Sequence, residues 1–90
     1  MAKRVEVYSS MLCPYCFRAK KLLESKGVAF EEIDVMLRPG ARKEMTERSG
    51  GRTSVPQVFV DGRLVGNCNE LFDLEDAGRL DAILQGGADA

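Results

Sequence analysis

The sequence predicts an α/β fold, a four-stranded mixed sheet with helices on both faces, in the element order β-α-β-α-β-β-α. Near the N-terminus a strand pattern, a helical pattern and a second strand pattern follow one another, and such a crossover pairs its two strands in parallel. Later, Asp61-Gly62 separates two strand patterns and supplies the positive φ angles that a two-residue hairpin turn requires. A parallel pair and an antiparallel hairpin together make the sheet mixed.

The first half of the chain contains the crossover. Residues 5–8 form an apolar strand pattern, and residues 15–26 form a helical pattern that ends at Gly27, a residue type suited to helix C-termini. The inner face of this helix is expected to carry Ala19, Leu22 and Leu23. Residues 30–35 are predicted as the second strand, although Glu31-Glu32 interrupts its alternation.

The second half contains the hairpin. Pro39 is suited to open a helix that runs to residue 49, with Met45 facing inward. Residues 55–60 and 63–66 are the two hairpin strands on either side of the turn. The hairpin is the clearest local pattern in the sequence.

The C-terminal region is predicted to be helical. Leucines recur there at helical spacing, with Gly66 as a strand end, Asn69 as the N-cap residue and a break at Gly78, which predicts two short helices or one bent helix. We expect one domain over residues 1–90, with a core over residues 5–84 and a frayed tail over residues 85–90.

Composition and charge exclude several classes of protein. A formal net charge of −1 gives no electrostatic footprint for nucleic acid or an anionic membrane. No apolar run approaches the roughly 20 residues that a membrane span requires. Three cysteines are too few, and odd in number, for a disulfide scaffold, which favours a reducing compartment and a cytoplasmic location. Since the chain contains no histidine, its chemistry must rest on sulfur, carboxylates or backbone dipoles.

The motif Cys13-Pro14-Tyr15-Cys16 lies between the first strand and the first helix, which is the placement of a redox pair. Because Cys13 precedes the first helical turn, the free N–H groups and the dipole of that turn favour the thiolate form of its sulfur. The amides of Tyr15 and Cys16, with a cation such as Arg18 or Lys20, are expected to contribute. The pattern therefore predicts dithiol chemistry.

A zinc site is the main alternative for a Cys-X-X-Cys pair. Zinc in a structural site takes four ligands, and beyond the pair only Cys68 remains as a thiolate in a chain without histidine. A zinc site made of cysteines is one ligand short, so no metal is expected.

Three motifs in order resemble those of the dithiol glutaredoxins, and the resemblance extends over residues 5–84. They are Cys13-Pro14-Tyr15-Cys16, then Thr53-Ser54-Val55-Pro56-Gln57-Val58-Phe59, then Gly66-Asn67-Cys68-Asn69 followed by Leu71 and Leu74-Glu75-Asp76. The resemblance implies a thioredoxin-like fold and glutathione as the reductant. It also implies a monomeric enzyme whose partners are glutathione and disulfide-containing or glutathionylated proteins.

The resemblance assigns roles to individual residues. Cys13 is the nucleophile, Cys16 is the resolving thiol, and Tyr15 is a wall of the glutathione groove. Pro56 is a cis proline facing the active site, and the backbone of Val55 pairs with the bound tripeptide. From the residues alone, this proline simply begins a strand, where proline is tolerated.

Further glutathione contacts follow from the same resemblance. Arg52, together with Arg48, is expected at the glycine carboxylate, because guanidinium groups fit carboxylates; solvated surface charge is the alternative. Amide groups at a helix start are expected at the γ-glutamyl carboxylate. They belong to the segment Gly66, Asn67, Cys68 and Asn69.

Three departures from the family pattern weaken the expected contacts. Ser10 stands where a lysine is frequent, Gly66-Asn67 replaces a glycine pair, and Asn69 replaces an aspartate. Each exposed charge pair lost costs about 0.2 to 1 kcal/mol, which predicts several-fold weaker glutathione binding. Cys68 is interpreted as a small buried apolar residue, with accessory oxidation as the alternative.

Two other functions remain open. The weakened glutathione contacts permit a redoxin that is reduced directly by thioredoxin reductase. In a different class, a dimer would hold a [2Fe–2S] cluster through one Cys13 per chain and two glutathione molecules, as some relatives do. Pro14 and Tyr15 argue against the cluster, because relatives with that activity usually carry smaller residues there.

Overall fold

The computed structural model describes residues 4–85, which form four strands and four helices. Their order is β1 (Val5–Ser9), α1 (Pro14–Ser25), β2 (Glu31–Asp34), α2 (Ala41–Arg48), β3 (Gln57–Val60), β4 (Arg63–Gly66), α3 (Cys68–Asp76) and α4 (Leu80–Gln85). The expected α/β architecture is confirmed. The break at Gly78 produces two short helices, and the predicted tail beyond residue 85 lies outside the described residues.

The four strands form one mixed sheet in the order β2-β1-β3-β4. β1 pairs with β2 in parallel, whereas β1–β3 and β3–β4 are antiparallel. The outer strands β2 and β4 are each four residues long. Asp61 and Gly62 both have positive φ, as the hairpin prediction requires. Because β1 lies inside the sheet, its carboxyl end, from which the chain continues to Cys13 and Cys16, is flanked by two neighbouring strands.

The alternation of β1 sends its side chains to two separate cores. Val5 and Val7 pack with α1, α3 and α4 on one face of the sheet. On the other face, Tyr8 packs with Ile33, Met45 and other residues beside α2. Both faces of the sheet are therefore covered by helices, as expected for a doubly covered α/β sheet.

A polar network closes the face beside α2. Arg48 donates to Glu6 at 2.9 Å and to the hydroxyl of Tyr8 at 2.8 Å, and its guanidinium lies 4.4 Å from the ring centroid of Phe59. The hydrogen bond from Arg48 holds the pKa of Glu6 below its ordinary value. Tyr8 in turn donates to Glu44. This network ties α2 to β1 and holds the Arg48 guanidinium on this face of the sheet.

The N-terminus of α3 corrects one prediction. The N-cap residue is Asn67, not Asn69: its side chain accepts from the Glu70 amide at 2.9 Å, and the Glu70 carboxylate accepts from the Asn67 amide at 2.9 Å. This reciprocal arrangement is a capping box. Gly66 precedes it with φ of +139°, and a Cβ there would lie 2.5 Å from the Glu70 carboxylate, so no larger residue fits.

We expect Asn67→Ala to lower the free energy of unfolding by about 1 kcal/mol, because it removes the side-chain acceptor of the capping box. The matched control is Asn69→Ala, an exposed position inside the helix, where the expected change stays within about 0.5 kcal/mol. Urea unfolding of both variants measures the difference. A larger loss at position 69 than at position 67 would contradict the assignment.

Candidate active site

Cys13 occupies the N-cap position of α1, and its side chain caps the helix. The Cys16 amide donates to the Cys13 sulfur at 3.1 Å, and the Phe17 amide donates to the Cys13 carbonyl at 3.1 Å. Pro14 fills the first helical position, where a missing N–H costs nothing. Within residues 4–85 no such bond comes from the Tyr15 amide, so that part of the expectation is wrong.

The two cations expected near Cys13 have other partners. Lys20 forms an ion pair with Glu32 at 2.7 Å. The guanidinium of Arg18 lies 5.3 Å from the ring centroid of Phe72. Neither donates a hydrogen bond to the Cys13 sulfur in the described part of the chain. The polar atoms nearest this sulfur are therefore backbone groups, the Cys16 amide and the carbonyl oxygen of Val55 at 3.7 Å.

Cys16 differs from Cys13 in its surroundings. Its side chain is buried, as are Ala19 and Leu23 further along α1, whereas Cys13 is partly exposed. Burial, reinforced by the neighbouring Cys13, raises the pKa of the Cys16 thiol to about 12. At neutral pH the pair therefore consists of an accessible sulfur and a buried, protonated one.

A groove of about 200 Å³ opens beside the pair. Six of the predicted glutathione-binding positions line it, together with Ser54, which the sequence analysis did not single out. The six are Tyr15, Val55, Pro56, Asn67, Cys68 and Asn69. The Val55–Pro56 peptide bond is cis, as the resemblance implied. The three sequence motifs therefore meet around one concave surface.

Free backbone donors lie along this groove. The Val55 amide has no hydrogen-bond partner among residues 4–85, because the ladder with β1 begins only at Gln57. Cys68 and Asn69 are the first two residues of α3, and helix geometry leaves their N–H groups without intrahelical acceptors. The groove thus offers N–H donors from two sides, which suits a ligand that carries carboxylates and peptide carbonyls.

Arg52 and Gly66 do not line the groove. Arg52 forms a two-pronged ion pair with Glu70, which includes a 3.0 Å contact from Nη2 to Oε2. This bond lowers the pKa of Glu70. Arg48 was expected at the glycine carboxylate of glutathione as well, but it donates to Glu6 and Tyr8 on the sheet face beside α2. In the described part of the chain, both arginines therefore form ion pairs with carboxylates of the protein itself.

Glu70 is the residue that the sequence analysis missed. It contacts Arg52, which precedes the Ser54–Pro56 wall of the groove, and Asn67, which belongs to the opposite wall. One carboxylate therefore ties the two walls together. The spacing Asn67-X-X-Glu70 is a capping-box pattern, and it would have identified both the N-cap and this role.

Cys68 is buried beneath the groove and belongs to the core beside α1. Burial raises the pKa of its thiol, which keeps it protonated at neutral pH. Its position agrees with the interpretation as a small apolar residue. No group of three or more His, Cys, Asp or Glu side chains within residues 4–85 is placed to hold a metal ion. Nor does any helix of this part of the chain have the length and apolar character needed to span a bilayer.

Comparison with known proteins reveals the same family throughout. The glutaredoxin family profile matches residues 5–65. Glutaredoxin 3 of Escherichia coli strain K12 is 48% identical over 81 residues, which cover 90% of this chain and 96% of that protein. The solution structure of a glutaredoxin from Brucella melitensis is 48% identical with a TM-score of 0.82, covering 96% of this chain and 92% of that one.

A complex with a ligand is also similar. The crystal structure of a buckwheat glutaredoxin–glutathione complex has a TM-score of 0.85 at 25% identity, covering 93% of this chain and 78% of that one. The sequence and structural matches agree with the site, in which the Cys13 sulfur lies beside a groove that offers backbone donors. The chain belongs to the glutaredoxin family, glutathione-dependent thiol oxidoreductases with a thioredoxin-like fold.

Proposed function

We propose that this chain reduces both protein disulfides and glutathione mixed disulfides, with Cys13 as the nucleophile and glutathione as the reductant. The observation that carries the proposal is the contrast between the two thiols. Cys13 is partly exposed, with its sulfur 3.7 Å from the carbonyl oxygen of Val55, a residue that lines the groove, whereas Cys16 is buried one turn further along α1. Only the first is accessible to an incoming disulfide.

Reduction of a glutathione mixed disulfide requires only one thiol of the pair, that of Cys13. Its thiolate attacks the glutathione sulfur, which forms a new disulfide on Cys13 and releases the protein as a thiolate that takes a proton from solvent. A second glutathione thiolate then attacks the sulfur of the bound glutathione. Oxidised glutathione leaves, and the Cys13 thiolate is regenerated. The net reaction consumes one glutathione thiol: the mixed disulfide and one glutathione become the protein thiol and oxidised glutathione.

Reduction of a protein disulfide also requires the Cys16 thiol. Cys13 first forms a mixed disulfide with one substrate sulfur. Cys16 then attacks the Cys13 sulfur, which releases the substrate as a dithiol and forms a disulfide between Cys13 and Cys16. Two glutathione molecules reduce this disulfide. Burial raises the pKa of Cys16 to about 12, and the Cys13 thiol adds to that effect. Because the mixed disulfide removes the Cys13 thiol, loss of the Cys16 proton becomes easier at the step that needs it.

The groove supports glutathione as the ligand. A tripeptide in extended form would pair with the free amide of Val55, and its γ-glutamyl carboxylate would meet the N–H groups of Cys68 and Asn69. Arg52 would reach the glycine carboxylate only by sharing its guanidinium with Glu70. The direct-reductase and [2Fe–2S] alternatives remain predictions from the sequence.

We expect Cys16→Ser to retain reduction of a small glutathione mixed disulfide. Its reduction of a protein disulfide should fall at least about tenfold, because an external thiol must replace an intramolecular one. Cys13→Ser should abolish both activities, since no other accessible thiol lies at the groove. The measurement is a glutathione reductase-coupled assay with each substrate.

Activity that survives Cys13→Ser would contradict the proposed nucleophile. The reductant is tested separately with the oxidised wild-type protein. If thioredoxin reductase reduces it and glutathione does not, the protein functions as the direct-reductase alternative.

Asn69→Asp is expected to lower the KM for glutathione about 1.4- to 5-fold, because it restores one partly exposed charge pair with the γ-glutamyl ammonium. The difference in KM between the variant and the wild type should become smaller at high salt, since exposed charge pairs are screened. Asn69→Ser is the matched control, which changes the side chain without adding charge. Equal KM values for aspartate and serine at low salt would overturn this role for position 69.

The raised pKa of Cys16 predicts that the free energy of unfolding falls at alkaline pH. The folded pKa of about 12 exceeds the ordinary value of about 8.5, so the folded chain keeps a proton that the unfolded chain loses. The contribution is complete below about pH 8.5 and falls as pH rises through the folded pKa. At pH 10 the loss is roughly 1 to 2 kcal/mol. Urea unfolding of the reduced protein at pH 7 and pH 10 should show a smaller loss for Cys16→Ser than for the wild type.

A further inference from the structure

The exposed apolar side chains of this protein are concentrated in one region. Within residues 4–85, six large hydrophobic side chains are exposed, and their exposed fractions run from 55% to 93%. They are Met11, Leu12, Tyr15, Phe17, Met36 and Leu37. Four of them flank or follow Cys13 in sequence, and the other two follow β2. Scattered single residues are ordinary on a protein surface, but a cluster of this kind marks an interaction site.

The sheet brings the two groups together. β1 and β2 are parallel, and their last paired residues are Ser9 and Asp34. The Val35 amide donates to the Ser9 carbonyl at 2.9 Å, so the segments that follow β1 and β2 leave the sheet side by side at the same edge. Neighbouring strands lie about 4.8 Å apart. Met36 and Leu37 therefore extend the apolar surface beyond Met11 and Leu12, away from β3.

This surface is distinct from the glutathione groove. The groove is lined by residues of the cis-proline segment and the start of α3, and of the six exposed apolar residues only Tyr15 is among them. β3 lies on one side of β1 and β2 on the other, so Met36 and Leu37 lie across β1 from the groove. A ligand in the groove leaves them uncovered.

Positive charge borders the same surface. Arg18 and Lys21 follow Phe17 on α1, with the Lys21 Nζ 5.6 Å from the Phe17 ring centroid, and Arg38 follows Leu37 directly. None of the three forms an ion pair with another residue of the described chain. The nearby carboxylate of Asp34 accepts hydrogen bonds from the Met36 and Leu37 amides. Glu31 and Glu44 line the same cavity as Arg38, but Glu31 pairs with Arg4 and Glu44 accepts from Tyr8, so Arg38 is left to meet a carboxylate of a partner.

We propose that Met36 and Leu37, with Arg38 at their border, dock the protein substrate: an extended segment with apolar residues beside its reactive cysteine and carboxylates beyond them. This inference rests on the proposed function and adds a class of substrate to it. Apolar side chains would cover the surface beside Cys13, and the carboxylates would meet the positive border. Small mixed disulfides do not reach this far and gain nothing from it.

The test uses two glutathionylated peptides and a small substrate. One peptide carries leucines beside the cysteine and glutamates beyond them; in the other, serines and lysines replace them. The wild type is expected to favour the first peptide in kcat/KM by at least about fivefold, and Met36→Ser/Leu37→Ser to lose most of this preference. Both proteins should reduce the mixed disulfide of cysteine and glutathione at the same rate.

Two further variants separate the charge from the apolar contact. Arg38→Ser should lower kcat/KM for the glutamate peptide in low salt and have no effect in high salt. The matched control, Arg63→Ser, removes an exposed arginine on β4 and should change nothing. Because Met36 and Leu37 are 70% exposed, the double variant is expected to fold, and urea unfolding is the check.

Each outcome has a distinct meaning. Equal preference for the two peptides, or no effect of the double variant on the first one, overturns the docking proposal while leaving the proposed function intact. Failure of the wild type on the small mixed disulfide overturns the proposed function itself. A wild-type dimer in sedimentation that the double variant dissociates, with peptide rates unchanged, assigns the surface to a second copy and also overturns the proposal.

Discussion

The hydrogen bond from the Cys16 amide to the Cys13 sulfur is the interaction on which the site depends. It makes one atom both the cap of α1 and the proposed nucleophile. A serine or aspartate cap would satisfy the same N–H group, but neither could form a disulfide. Because α1 also buries Ala19 and Leu23 in the core, the helix cannot shift to release the sulfur without disturbing that core. The position of the Cys13 sulfur is thus fixed by the packing of the whole domain face.

A second interaction, centred on a carboxylate, fixes the groove. Glu70 holds Arg52, which precedes the Ser54–Pro56 wall, and Asn67 on the opposite wall, and Gly66 has no side chain that would displace Glu70. Neither wall is a regular strand or helix over its full length, so this link replaces the support that a ladder would give. The polar network around Arg48 has the same effect on the far face, where it joins α2 to β1. Short elements are held in place by charged groups that bridge them.

Much of the architecture could be predicted because it depends on local patterns. The Asp61-Gly62 turn, the end of α1 at Gly27 and the break at Gly78 each follow from the backbone freedom of a few residues. The partners of the arginines could not be predicted in this way. Arg52 pairs with a residue 18 positions away and Arg48 with one 42 positions away, and only the folded sheet decides which carboxylates they meet. The misplaced N-cap was different, since its capping-box spacing was present in the sequence.

The lengths of the outer strands have a consequence for how copies of this protein behave at high concentration. β2 and β4 are four residues each, and both bear charged side chains, Glu31 and Glu32 on one and Arg63 on the other. A further strand added to either margin would gain few main-chain hydrogen bonds and would have to approach ionised groups. The sheet is therefore a poor template for edge-to-edge polymerisation into fibrils, even though it is open at both sides.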